Sequence, residues 1–262
     1  MTPAKAHREG RWGPVDRPLA EERPVAITVN GSTVAVMMAT PADLEDFATG
    51  FLRTEAIAAP EEIESIEILP QGRGLEARVW LAAPAAERVA RRRRDRAGPV
   101  GCGLCGIDSL AEALRPLPRV TGTLRMSPAQ VLSAVAALPA EQRLHDATRA
   151  VHAAGFWRAG QAMIAREDVG RHNALDKLAG ALTRGGVDPA SGALLLTSRV
   201  SVDMVQKAAT LGTSIVVAAS APTTLAVEEA MAAGLTLVTR ARGTGFELHT
   251  HPDRITEVPA DV

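Results

Sequence analysis

The runs Ala193-Leu194-Leu195-Leu196-Thr197, Ser214-Ile215-Val216-Val217-Ala218-Ala219 and Leu235-Thr236-Leu237-Val238 decide the fold of this chain. Each is short, almost continuously apolar and rich in Leu, Ile or Val, which predicts strands buried on both faces. Between them, Val202 to Leu211 and Thr223 to Ala233 carry apolar residues at helical spacing. Strands alternating with helices predict a layered α/β domain.

Working outward toward the N-terminus, a helix is predicted from just after Asp168 to about Arg184, with Asp168 as its cap. Residues 153–166 read as a hairpin turning at Arg158 to Gly160. Ser127-Pro128 supplies a cap and a first-turn proline for one helix, and a second helical pattern runs from Pro139 to Val151. These elements assign 119–262 to the larger domain. Before it, Val25, Ile27 and Val29 alternate with smaller residues, Asn30-Gly31 gives a two-residue turn, and Val34 and Val36 resume the alternation. Leu44, Phe47, Ala48, Phe51 and Leu52 form an amphipathic helical stripe. Two more strands follow around Ile63 to Ile68 and Leu75 to Leu81, and then a helix from Pro84 to Arg96 with four consecutive arginines, Arg91 to Arg94. Residues 23–97 are therefore expected to be a small α+β domain. Residues 98–118 are expected to be the cysteine loop and connecting segment, and the polar stretch 1–22 an arm or a disordered tail. The fold class is mixed α+β: a small N-terminal α+β domain and a larger layered α/β domain.

With 262 residues, of which 46% are hydrophobic and 23% charged, the chain can bury a substantial core and is expected to be globular. A net charge of -1 gives no general attraction to nucleic acid. No apolar run approaches the roughly 20 residues a membrane span requires, and Met1 to Gly10 has no signal-like core. The expected location is the cytoplasm, where two cysteines point to catalysis or metal binding rather than a structural disulfide.

Both cysteines lie in Gly101-Cys102-Gly103-Leu104-Cys105-Gly106, just ahead of a helical pattern that Asp108 or Ser109 can cap. A helix start and nearby cations favour the reactive thiolate. The glycines also satisfy GxGxxG, but that dinucleotide fingerprint must follow a buried strand, and here a polar arginine-rich segment precedes it. Structural zinc requires four ligands, which two cysteines supply only with histidines such as His145, His152 or His172, or with a second subunit. Zinc deaminase chemistry pairs Cys-x-x-Cys with His-x-Glu, whereas His152-Ala153-Ala154 lacks the glutamate. A thioredoxin-like dithiol remains open, beside a nucleophilic or sulfur-carrying thiol with its neighbour as resolving partner.

Four further clusters carry chemistry. The run from Arg166 to Lys177 is too polar for ordinary core and includes Arg171, His172 and Lys177. Thr197-Ser198-Arg199-Val200-Ser201 and Ser220-Ala221-Pro222-Thr223-Thr224 each follow a predicted strand and precede a predicted helix, where α/β sheets bind anionic ligands. Arg240-Ala241-Arg242-Gly243-Thr244-Gly245 adds two cations after another strand. Together they suggest a large ligand with several phosphates.

Cys102-Gly103-Leu104-Cys105-Gly106, the Arg166 to Lys177 run, Arg199 with Ser201, Gln206-Lys207, and Ser220-Ala221-Pro222-Thr223 followed by Leu225-Ala226 resemble the formate dehydrogenase accessory sulfurtransferases of the FdhD type. The resemblance covers about residues 22 to 256. It implies a sulfur carrier, an enzyme acting through a cysteine persulfide, that takes sulfur from a cysteine desulfurase. It implies delivery to the molybdenum cofactor, Mo-bis(molybdopterin guanine dinucleotide) bound as substrate, for formate dehydrogenase. By position, Cys102 bears the persulfide and Cys105 assists or accepts. The segment Arg240, Ala241, Arg242, Gly243, Thr244, Gly245 matches the family's cofactor-binding stretch; for sulfur transfer to a cofactor, Arg171, Lys177, Arg199 and Arg242 are expected to hold its phosphates, His172 to tune protonation, and Ser201 to join the cofactor-binding residues. The resemblance further implies a larger domain like the cytidine deaminases and a homodimer. This chain has Thr148-Arg149-Ala150 where the family has Thr-Gly-Gly, and Arg240 where an aromatic is usual. A non-catalytic cofactor-binding chaperone and a dithiol oxidoreductase are the alternatives.

Overall fold

The computed structural model describes residues 4–15, 17–95 and 116–256. The N-terminal stretch contains an exposed two-stranded ribbon. Ala4–Arg8 (β1) and Arg11–Val15 (β2) pair antiparallel. Glu9 and Gly10 join them with φ of 50° and 78°, the positive pair that a tight hairpin turn requires. The ribbon is largely exposed, so it shows none of the apolar alternation that reveals a half-buried strand.

Arg23–Val29 (β3), Ser32–Ala39 (β4), Ile63–Gln71 (β5) and Gly74–Leu81 (β6) form a four-stranded sheet in the order β4-β3-β6-β5. β3 and β6 run parallel, and the outer pairs antiparallel. Leu44–Thr54 (α1) and Ala83–Asp95 (α2) complete this unit. Phe47, Leu52 and Val89 from the helices join Val25, Ile27, Ala77 and Val79 from the strands in one core, as the amphipathic pattern requires.

The second unit begins with Pro128–Ala137 (α3), whose Ser127 and Gln130 form a reciprocal capping box, and Arg143–Thr148 (α4). Then come His152–Trp157 (β7), Ile164–Asp168 (β8), Arg171–Arg184 (α5), Ala193–Leu196 (β9), Val202–Leu211 (α6), Ile215–Ala218 (β10), Thr224–Ala233 (α7), Thr236–Arg242 (β11) and Gly245–Thr250 (β12). The sheet order is β12-β11-β10-β9-β7-β8. β9, β10 and β11 are parallel, and β7 and β12 antiparallel to their neighbours. On one face Leu194, Leu196, Val216, Ala218 and Leu237 meet α5, α6 and α7. On the other, Ala193, Leu195, Ile215, Val217 and Val238 meet Val131 and Ala134 of α3. The three apolar runs are thus covered on both sides. β12 was not anticipated: the strand read as ending at Val238 continues to Arg242, and the Arg240 to Gly245 segment turns back as a hairpin through Gly243 and Thr244.

Two corrections concern the polar run. The helix starts at Arg171 with Gly170 as its cap, whereas Asp168 ends β8 and is buried. Arg149, which stands in place of a family glycine, caps α4 in the left-handed region at φ 57°, a conformation that glycine adopts more readily.

Helix α5 joins the units. It crosses α1 at Gly50 and Gly180, where no side chain fits: a Cβ on Gly50 would lie 1.7 Å from the Asp176 carbonyl oxygen, and one on Gly180 1.8 Å from that of Asp46. Around this backbone contact, Arg166 pairs with Asp46 at 2.7 Å, Arg184 pairs with Asp46 and Glu45, and Arg53 donates to Thr183 Oγ1 and the Leu211 carbonyl.

Candidate functional site

The carboxyl ends of β8, β9, β10 and β11 share one edge of the larger sheet with the start of β7. Each loop there is tied to the next. Val200 N donates to the Ala221 carbonyl and Thr223 N to the Val200 carbonyl, while Arg240 N donates to the Ser220 carbonyl. The result is a continuous rim with a cleft of about 350 Å³ lined by Ala219, Ser220, Ala221, Arg240 and Arg242. Arg242 Nε donates to the Ala219 carbonyl at 2.8 Å, which fixes that side chain across the cleft. Arg240 is exposed, at φ 48°, with Nε 3.4 Å from Glu247 Oε2. Gly243, Thr244 and Gly245 form the exposed turn beyond them, but Ala241 faces the core and offers a ligand only its backbone.

Helices α5, α6 and α7 all start at this edge, so their free amide groups and dipoles favour an anion there. Arg199 is exposed just before α6, and Ser201 caps that helix. Across from them, His172 Nε2 lies 3.6 Å from Asp203 Oδ2, an ion-pair distance too long for a good hydrogen bond. Ser201 Oγ donates to the same carboxylate oxygen at 3.5 Å. The His172 ring, ahead of Ser201 and Arg171, holds Asp203 below the usual carboxylate range despite its partial burial. His152, at the start of β7, is pushed below the ordinary imidazole value by burial and then by Arg171, His145 and His172. Arg171 and His172 thus stand with His152 and Asp203 in one polar patch, beside the arginine-lined cleft.

The Arg166 to Lys177 run divides between two tasks, and here expectation fails for Lys177. Its side chain and that of Asp168 are both 0% exposed and pair at 2.6 Å. Lys177 Nζ also donates to the Thr40 carbonyl at 2.9 Å. A group so enclosed cannot meet a ligand phosphate. Asp168 accepts further hydrogen bonds from Thr40 N, Gly170 N and Asn173 Nδ2, so it fixes the entry to α5 and ties it to the end of β4. Asp176 is buried likewise, accepting from Thr54 Oγ1 and from Lys207, which also reaches Glu55. These two carboxylates raise Lys207 against its burial, whereas burial raises Asp176. Only Arg171 and His172 of the run's three expected ligand groups point to the edge. Glu167 instead caps α4, accepting from Leu144 N and His145 N.

Cys102 and Cys105 lie outside the described residues. Asp203 was missed in the sequence, since an acidic residue in a first helical turn is ordinary; its significance is visible only when α5 and α6 are placed side by side. Among the described residues no set of three or more His, Cys, Asp or Glu side chains is arranged to hold a metal ion, and no helix is long and apolar enough to cross a membrane.

The chain has relatives among known proteins. It is 49% identical over 253 residues to a sulfur carrier protein FdhD of Agrobacterium fabrum, covering 95% of this chain and 93% of that one. It is 50% identical over 255 residues to the protein of that name in Brucella abortus, covering 96% and 95%. A crystal structure of a candidate formate dehydrogenase accessory protein from Desulfotalea psychrophila superposes with a TM-score of 0.75 at 28% identity, over 98% of both chains. The model of the FdhD/NarQ family matches residues 20–256, which takes in both units and every loop of the carboxyl edge. On this span and this identity, the chain belongs to the FdhD/NarQ family.

Proposed function

We propose that this chain is a sulfur carrier for formate dehydrogenase maturation. In this reading it takes persulfide sulfur from a cysteine desulfurase and passes it to the molybdenum cofactor in its bis(guanine dinucleotide) form, held as substrate. It works as a homodimer in the cytoplasm. Cys102 thiolate attacks the outer sulfur of the donor persulfide; a new S–S bond forms at Cys102 as the donor's bond breaks, and the donor leaves as thiolate. Cys105 assists or accepts the sulfur. The cofactor's phosphates are met by Arg240, Arg242 and Arg199, with the amides of the Gly243, Thr244 and Gly245 turn, the Ser201 helix start and Arg171 beside them.

The observation that carries the reading is the convergence of exposed arginines and three helix starts on one edge, next to a cleft bounded by Arg240 and Arg242. The name of the relatives supports the sulfur-carrying half of it. The test is intact-mass measurement after incubation with a cysteine desulfurase and free cysteine. Wild type gains one reductant-labile sulfur and Cys102→Ala does not, while Arg242→Ala still loads but loses most of its affinity for guanosine diphosphate. An unloaded wild type that binds the nucleotide normally would make the protein a cofactor chaperone instead.

A further inference from the structure

The polar patch at the start of α5 holds an arrangement that phosphate binding leaves unused. His172 Nε2 is enclosed and faces Asp203 Oδ2, yet 37% of the His172 side chain is open to solvent. Nε2 is enclosed, so the solvent-open part of the ring lies elsewhere, and we assign that side to Nδ1. Asp203 Oδ2 also lies 3.5 Å from the Ser201 hydroxyl. Once the 3.6 Å gap between Nε2 and Asp203 closes to hydrogen-bond length, a carboxylate behind one ring nitrogen favours the tautomer with the proton on that side and leaves the other nitrogen as a base.

We propose that His172 is the proton-exchange group of the carboxyl edge, with Asp203 as its positioning residue, acting on a sulfur-bearing ligand held there. The inference rests on the sulfur-carrier reading for its substrate but not for its geometry. In the forward direction the Nδ1 lone pair takes the proton of a ligand S–H, leaving a thiolate sulfur, and the imidazolium formed faces the Asp203 carboxylate. In reverse, the proton returns to sulfur. Only a proton moves, so no oxidant or reductant enters. The charged and titratable groups facing His172 fit this cycle. Arg171 on its own helix and Asp203 on α6 balance one another, and His152 on β7 is disfavoured as a cation by burial. Arg171 Nε, on the same helix, is likewise enclosed without a hydrogen-bond partner among the described residues.

The test has two independent arms. In the first, ring nitrogens of the isolated protein are followed by NMR above the imidazole titration. Wild-type His172 carries its proton on Nε2, Asp203→Asn loses that preference, and His172→Gln moves the Asp203 carboxyl up toward its ordinary range. A proton on Nδ1 in wild type overturns the pair, whatever the protein carries. In the second arm, release of loaded sulfur to a small thiol is timed against pH. His172→Gln slows it by about a hundredfold and flattens its pH profile, as expected for a general acid–base group. Asp203→Glu keeps part of the rate that Asp203→Asn loses. An unchanged rate in His172→Gln refutes the catalytic role. Failure of wild type to load refutes the sulfur-carrier reading, with the NMR arm still deciding the pair.

Discussion

Lys177→Met separates the task the sequence suggests for this lysine from the one the structure gives it. Lys177 and Asp168 are both fully enclosed, with Nζ 2.6 Å from Asp168 Oδ2 and 2.9 Å from the Thr40 carbonyl. Methionine keeps most of the side-chain volume, so the substitution removes charge and donors rather than opening a cavity. Removing one partner from a buried pair costs about 3–5 kcal/mol. Asp168 keeps three other donors, Thr40 N, Gly170 N and Asn173 Nδ2, which argues for about 3 kcal/mol, the lower end of that range. Total stability is on the order of 5–15 kcal/mol, and with a urea slope of about 1–3 kcal/mol per molar the unfolding midpoint falls by about 1 M or more. Equilibrium unfolding followed by circular dichroism reads this directly. The double variant Asp168→Asn with Lys177→Met is less destabilised than the sum of the single variants, because each single change strands the other group. A wild-type midpoint in Lys177→Met, together with lost affinity for guanosine diphosphate, would show that the lysine faces the ligand and that the buried pair is wrong.

Gly180→Ala puts a Cβ 1.8 Å from the Asp46 carbonyl oxygen, and both partners are helix backbone that cannot turn aside. It costs about 3 kcal/mol or more by forced separation of α1 from α5, read as a lowered melting temperature; an unchanged one would mean that the helices do not cross there. Stability also falls as pH drops below about 6.5, because His152 is held under its ordinary value of 6.5 in the fold. The unfolded chain then binds the proton first, and the loss continues down to the folded pKa. His152→Gln flattens that part of the pH–stability curve, and an equal slope in the variant would count against the burial argument.

The fold was legible where one physical rule governed a whole segment. Three apolar runs and two amphipathic intervals specify strands covered on both faces, and Leu194, Val216 and Leu237 are buried accordingly. The hairpin at Asn30-Gly31 was legible because the turn needs two positive φ values, and those residues have 46° and 78°. The β1–β2 ribbon uses the same device with Glu9 at the first position, a residue that does not advertise it. The continuation of β11 through Arg240 and Arg242 was hidden for a different reason. Their side chains are exposed at the end of a sheet, so the strand ceases to look apolar before it ceases to be a strand.

The polar run between Arg166 and Lys177 shows why composition alone does not locate a site. Polar density marks any place where charge must be satisfied, whether by a ligand or by another part of the chain. Here the fold sends Asp168, Asn173, Asp176 and Lys177 inward against Met38, Thr40 and Thr54 of the smaller unit, with Lys207 completing the network. Arg171 and His172 share their helix and face the opposite way, to Asp203. The two sets are mechanically linked, because Asp168 accepts from Thr40 N and from Gly170 N, the cap of the helix whose first two residues are Arg171 and His172. Val169 N in turn donates to Thr40 Oγ1. The smaller unit therefore sets the position of the edge: displacing Thr40 must displace the start of α5, and with it the spacing of His172 from Asp203. Ion pairs inside the joint and proton exchange at its rim draw on one stretch of sequence, and only the direction of each side chain tells them apart.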